Sequence, residues 1–314
     1  MDVDARVETW AWLQLVPGLD PESLFTLLKA LGDPAAVRGA SRSTLLRYVS
    51  AEVAAALRRG PAAGQLESTL AWLANPGHWL LAWGDADYPA ALLATTAPPP
   101  VLYHIGRPEL LNRPAIAIVG SRNATPEGVG HARAFAEALS AAGWTIFGRL
   151  AGGVDAAAHR GGLAAAGSSV AALAGGLDRI DLPALRPLAA QLARGGGLLS
   201  EFSPGTAPQP AHFARRSHLI AGLCRGVLVI EATLGSGALG VARHAVAQGH
   251  EVFAIPGSIH SPFSKGGHRL IKEGAKLVET VDDVLDELRS QLPAGVPAPP
   301  QADGTIRPRR TPRA

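Results

Sequence analysis

The stretch Ala115-Ile116-Ala117-Ile118-Val119-Gly120-Ser121-Arg122 runs an unbroken apolar segment into a small, Gly-containing turn that ends on a cation. An apolar run with no polar alternation reads as a strand buried on both faces, which is how strands of a parallel sheet read. The same grammar repeats downstream at 144–148, 169–176, 197–202, 226–232, 251–257 and 275–278. Helical patterns fill the spaces between these runs, at 127–142, 155–166, 236–248 and 265–273. Apolar strands alternating with helices predict an α/β fold: a doubly wound, Rossmann-like, mostly parallel sheet.

Upstream, residues 1–75 carry helical spacing and little β-branching. Trp10, Leu13 and Leu15, then Pro17-Gly18-Leu19-Asp20-Pro21, then Leu24, Leu27, Leu28, Leu31 and Gly32 read as helix, turn, helix. Asp20 is placed to cap the second helix, with Pro21 at its first position. This predicts a small SAM-like helical domain, structural or weakly binding. Residues 76–114 read as a connecting segment with one short strand at 79–83 and a Pro98-Pro99-Pro100 run. The sheet domain occupies 115–292. The Pro/Ala-rich 293–314, ending Ile306-Arg307-Pro308-Arg309-Arg310, is expected to be a disordered basic tail.

Composition narrows the function classes. Of 314 residues, 47% are hydrophobic and 18% charged, which excludes a supercharged or disordered chain. Gly and Pro together number 61, well above the usual share of about 12%, and they punctuate the apolar runs. The charge-free segment 161–177 spans 17 residues thick with Gly and Ala, too short and too weakly apolar for a bilayer. The start MDVDAR has no basic n-region, so no signal peptide is expected, and the chain reads as cytoplasmic. A single cysteine, Cys224, excludes a disulfide framework and a Cys-based zinc site.

The net charge of +3 conceals an asymmetry. Residues 1–112 sum to −3, 113–270 to +6, 271–292 to −3 and 293–314 to +3. The cations of the central block are nearly all Arg, whose forked guanidinium suits phosphate.

In an open parallel sheet, ligands sit beyond the carboxyl ends of the strands. Five turns there are small or Gly-rich: 120–122, 152–155, 175–178, 235–237 and 257–258. Glycine admits a close phosphate, and helix N-termini add free N–H groups and partial positive charge. Gly235-Ser236-Gly237-Ala238-Leu239-Gly240 matches G-x-G-x-x-G, but it follows a late strand and no acid lies where a ribose hydroxyl would need one. A dinucleotide site, a close phosphate approach and a purely structural turn all remain open for it. Asp155 and His159, four apart at a helix start, are a metal or acid–base pair, or more commonly a capping Asp beside a buried His. No P-loop, nucleophile elbow or paired-His metal motif is present. No catalytic residues, metal or cofactor are expected.

In order and spacing, several segments together are specific: Gly84-Asp85-Ala86-Asp87-Tyr88-Pro89, Pro99-Pro100-Val101-Leu102-Tyr103, Ile118-Val119-Gly120-Ser121-Arg122, Gly153-Val154-Asp155-Ala156-Ala157-Ala158-His159, Leu199-Ser200-Glu201-Phe202, Pro256-Gly257-Ser258 and Gly266-Gly267-His268-Arg269. Through them the chain resembles the DNA-processing protein A (DprA/Smf) family over about residues 10–290. The resemblance implies a non-enzymatic, sequence-independent single-stranded-DNA binder that loads a RecA-type recombinase in DNA uptake and natural transformation.

It implies DNA contacts at Gly120, Ser121, Arg122, Gly176, Leu177, Arg215, Arg216, Ser236 and Gly237, with Lys265 and Arg269 as further candidates. It also implies a homodimer through His268, Ile271 and Leu277. Departures are visible. Arg216-Ser217-His218 stands where the family usually has Arg-Asn-Arg, and Leu182 stands where it has an aromatic before Pro183. Ala238-Leu239-Gly240-Val241 lacks a usual Thr. Arg149 occupies a place that is usually small or apolar. The winged-helix domain with which many members end is not expected in the residues after Leu292. Two competing readings accompany this one: a nucleotide-hydrolysing Rossmann-like enzyme using Glu201 or Glu231, and a degenerate paralogue with weak DNA affinity.

Overall fold

The computed structural model describes residues 4–180 and 182–290. The tail 293–314 lies outside the described residues. Among these, nine strands form one sheet: β1 (His78–Ala82), β2 (Val101–Gly106), β3 (Ala115–Gly120), β4 (Thr145–Arg149), β5 (Ser169–Ala172), β6 (Gly197–Ser200), β7 (Gly226–Ile230), β8 (Glu251–Ala254) and β9 (Lys276–Leu277). Their spatial order is β1-β2-β6-β5-β4-β3-β7-β8-β9. β1 and β2 pair antiparallel, as do β2 and β6; the pairs from β6 across to β9 are parallel.

The chain enters the parallel part at β3 and winds outward through β4, β5 and β6. It then returns to the other flank of β3 as β7, with Gly120 opposite Ile230 in register, and continues to β8 and β9. This reversal between β3 and β7 is the switch point of a doubly wound sheet, and it opens a crevice at the carboxyl ends of those two strands.

The apolar strands serve two cores at once. In β3 and β7, Ala117, Val119, Val227 and Val229 face a layer containing helix Pro210–Leu223 and helix Ala238–Ala247. Ile116, Ile118, Leu228 and Ile230 face the opposite layer, which holds Phe135 and Leu139 of helix Pro126–Ala141 and Val284 and Leu288 of helix Val281–Ser290. Period-two burial on both faces is why these segments look continuously apolar.

Among the described residues six helices precede β1. Asp20 caps helix Pro21–Leu31 by accepting from the Ser23 amide at 2.9 Å, and Gly32 ends that helix at φ +94°. Trp10, Leu13, Leu24 and Leu27 of this head pack in one cluster with Leu80, Tyr103 and Leu198 of the sheet. The head therefore shares a core with the β1–β2–β6 flank. Residues 76–114 hold more structure than a connector needs, because they supply both β1 and β2. The proline run delivers the chain directly into β2: Pro100 O accepts from Trp83 N at 3.1 Å, and the Tyr88 hydroxyl donates to Pro99 O at 2.6 Å.

Among the described residues no helix is long and apolar enough to cross a membrane.

Candidate functional site

A crevice of about 880 Å³ opens where the turns after β3 and β7 meet the first turns of two helices. Its walls come from two helical stripes of i, i+3, i+4 spacing. Helix Pro210–Leu223 presents Phe213, Arg216 and Ser217; helix Ala238–Ala247 presents Gly240, Arg243 and His244. Gly120, Ser121, Arg122, Arg149, Ser236 and Gly237 line the rest of it.

The turns stack tightly. A Cβ on Gly120 would lie 1.9 Å from Ile230 O, and Gly153, at φ +64°, leaves only 2.2 Å to Ser121 O for one. Ser121 donates its amide to Glu231 O at 2.7 Å and accepts from Val154 N at 3.1 Å. The Gly120-Ser121 backbone is thus spent on holding loops together. Gly235 and Gly237 differ: a Cβ on Gly235 meets nothing within 4 Å, and on Gly237 meets Arg149 Nη1 at 3.4 Å. No neighbouring protein atom demands glycine there, so the room faces the crevice.

Charge sets the chemistry. Among the described residues no ion pair engages Arg122, Arg216 or Arg243. Arg216 Nε is buried with no hydrogen-bond partner, and its guanidinium lies over the Phe213 ring, 5.3 Å from the centroid. Burial, then the neighbouring Arg149 and Arg122, push the Arg216 guanidinium down to about 10. A cation held this way stabilises any anion that enters. His244 is held below its usual range by burial and by Arg243, so it stands neutral near pH 7.

Arg149 is buried at the crevice floor, 3% exposed. Asp155 Oδ1 accepts from its Nε at 2.8 Å and from its backbone amide at 3.0 Å, while Nη2 reaches Asp155 Oδ2 at 2.5 Å and Gly120 O at 2.7 Å. His159 Nε2 bonds the Arg149 carbonyl at 3.1 Å and Nδ1 bonds Ser169 Oγ at 2.7 Å. Burial pulls this imidazole below its usual range, so it sits neutral between them. Asp155 and His159 together clamp the end of β4. Asp155 does not cap its helix, whose N-cap is Gly153; the charged neighbour on β4 claims the carboxylate first.

The acids that a hydrolase would need are engaged. Glu201 pairs with Arg215 at 2.6 Å. Glu231, at φ +47°, accepts from Thr125 N at 2.8 Å and from the Thr125 hydroxyl, Thr125 being the N-cap of helix Pro126–Ala141. No group of three or more His, Cys, Asp or Glu side chains among the described residues could hold a metal.

Of the expected contact residues, Gly120, Ser121, Arg122, Arg216, Ser236 and Gly237 line one crevice. The others lie elsewhere. Gly176 and Leu177 are buried; the Leu177 side chain packs in the core, and Gly176 bonds Thr206 through its amide. Arg215 turns off the helical stripe onto Glu201 and the Phe202 ring. Lys265 donates to Ile259 O, and Arg269 pairs with Glu273 at 2.7 Å, both outside the crevice. His268 contacts Gly257 O at 3.0 Å, Ile271 is half-buried, and Leu277 is exposed on the edge strand β9. Arg243, His244, Phe213 and Phe263 line the crevice without having been singled out. The i, i+3, i+4 spacing from Gly240 was a readable signal for Arg243 and His244. No comparable signal marked Phe263.

A family model described as DNA recombination-mediator protein A matches residues 79–289. Protein Smf of Escherichia coli K12 is 44% identical over 228 residues, covering 72% of this chain but only 61% of that protein. The X-ray structure of DNA processing protein A from Streptococcus pneumoniae superposes with a TM-score of 0.78 at 30% identity, over 91% of this chain and 99% of that one. The Helicobacter pylori DNA processing protein A, whose structure concerns its single-stranded DNA binding mode, gives a TM-score of 0.62 at 26% identity, over 68% of this chain and 96% of that one.

Proposed function

The chain belongs to the DNA recombination-mediator protein A family, and from that premise we propose that it binds single-stranded DNA, without sequence preference, in the crevice between β3 and β7. The observation that carries this reading is Arg216: a half-buried residue whose Nε is buried and unpartnered, beside Arg122 and Arg243 and without an ion pair among the described residues. Such a site attracts phosphate and cannot discharge itself within the protein.

The walls support a backbone-tracking mode. Arg122 and Arg243 at the mouth would meet successive phosphates, while Phe213 offers an apolar ring to a base face. Phosphate contacts position a strand without reading it, and stacking tolerates every base. Turnover chemistry finds no support here, because Glu201 and Glu231 are both bonded elsewhere. A non-enzymatic role is part of the proposal.

Family membership further supports recombinase loading during DNA uptake, action in the cytoplasm, and a homodimer along the edge bearing His268, Ile271 and Leu277. Leu277 is 45% exposed on β9, the edge strand of the sheet among the described residues, and an edge with an apolar side chain suits a second copy.

The test is binding of oligo-dT against a matched duplex at two salt concentrations. Neutralising about four to six phosphates gives a slope of log K against log salt near −3 to −4 on a single strand. A slope of zero, or a preference for duplex, would overturn the proposal.

A further inference from the structure

Arg149 has a guanidinium that its own protein uses only in part. Nε and Nη2 are committed to Asp155 and to Gly120 O, an arrangement that fixes the plane of the group. Nη1 has no hydrogen-bond partner among the described residues, and it lies 3.4 Å from the point where a Cβ on Gly237 would sit. The free edge therefore looks across the Gly235–Gly237 turn, into the space that the missing side chains leave open. The backbone of Arg149 is fixed as well, its amide by Asp155 and its carbonyl by His159. A residue 3% exposed, anchored at both backbone groups and at two of its three side-chain nitrogens, loses little rotamer entropy when an anion arrives.

The charge count agrees. Among the described residues four arginines line the crevice and no carboxylate does; Asp155, behind its floor, forms its ion pair with Arg149. If Arg149 served only to balance Asp155, a pair of uncharged side chains would fill the same volume at less desolvation cost. What the pair adds is a rigid pair of N–H donors at the floor of a cationic crevice.

Resting on the DNA-binding reading above, we infer that Arg149 is a phosphate-gripping residue, held by Asp155 so that its Nη1 edge donates to a phosphate oxygen lying over the Gly235–Gly237 turn. Asp155 is the positioning residue for that contact, and His159 steadies the strand end beneath it. Because the pair carries no net charge, its contribution comes through oriented hydrogen bonds more than through counterion release.

The experiment uses the full chain with oligo-dT. Arg149→Met combined with Asp155→Asn removes both charges of the buried pair, and Asn keeps an oxygen for the backbone amide at position 149. This double variant should bind about tenfold more weakly, the size of one hydrogen bond to a charged group, with the salt slope nearly unchanged. Pocket collapse would instead flatten the slope, as loss of the exposed cations must. Arg149→Lys keeps the charge opposite Asp155 and should lose affinity similarly, since an ammonium cannot hold Asp155 and face the turn together. Wild-type affinity in either variant, with an unchanged melting temperature, would overturn the inference and leave DNA binding standing. Failure of the wild-type chain to bind oligo-dT would instead overturn the functional reading itself.

Discussion

Arg215 and Arg216 are neighbours in sequence with opposite fates: Arg215 donates to Glu201 Oε2 from Nε at 2.9 Å and from Nη2 at 2.6 Å, whereas Arg216 Nε has no partner. Consecutive helical residues point about 100° apart, so only one can face the crevice. Glu201 is buried, and burial raises its carboxyl above the usual range despite the arginine. Arg215→Ala should therefore cost stability, about 1–2 kcal/mol after allowance for the exposed end of the pair, while changing oligo-dT affinity little. Arg216→Ala should do the reverse. Chemical denaturation and binding titrations on both variants check this; a larger affinity loss in Arg215→Ala than in Arg216→Ala would contradict it.

Arg122 stands just past β3 at the mouth of the crevice, with no ion pair among the described residues. A guanidinium there can fork onto phosphate oxygens. Arg122→Ala should weaken single-strand binding by about 1.5–3 kcal/mol and flatten the salt slope by less than about one unit. The melting temperature should barely move, because the side chain is exposed. Arg122→Lys should recover part of the loss. Unchanged affinity in Arg122→Ala would move the DNA elsewhere on the protein.

Acid should weaken the fold through His104. This residue lies on β2, fully buried, with its Cε1 2.5 Å from where a Cβ on Gly197 would be. Burial lowers its imidazole from 6.5 to about 4. The unfolded chain thus takes up a proton that the folded chain refuses. The stability is complete above pH 6.5 and is lost as pH falls through the window to about 4, amounting to roughly 3 kcal/mol. Unfolding free energies measured from pH 7 to 4 should show this slope, and His104→Leu should remove that part of it. Identical slopes in both proteins would refute the assignment.

These side chains also mark how far the sequence could be read. The strands of the parallel sheet were plain because Ile116, Val119, Leu228 and Val229 are buried whichever face they take. β2 was hidden: it follows three prolines, and Tyr103 and His104 break an apolar signal that only the neighbouring β1 and β6 make sense of. Six crevice residues were nameable because turns at strand ends converge by topology. Arg215, Leu177 and Asp155 were not separable from true crevice residues, since a helix phase, a loop's burial and a rival charge decide each of them. Arg149 was visible as an oddity, and only the fold shows what holds it.

Phe213 carries the last prediction. The residue is 42% exposed, and its ring forms a wall of the crevice beneath the Arg216 guanidinium. Leu182, 54% exposed, borders an adjoining hollow that shares Phe213, Arg122 and Arg216 with the crevice. A base stacked on an aromatic face contributes about 1–3 kcal/mol, and Leu182 offers no such face. Phe213→Ala should therefore weaken oligo-dT binding by about that amount while leaving the salt slope intact, because no charge is removed. Phe213→Tyr should keep wild-type affinity, and Leu182→Phe should tighten binding by supplying a second ring. Binding to an abasic oligonucleotide of equal length separates the contributions: Phe213→Ala and wild type should converge there. If they differ as much on the abasic strand as on oligo-dT, Phe213 acts by holding Arg216 in place rather than by meeting a base.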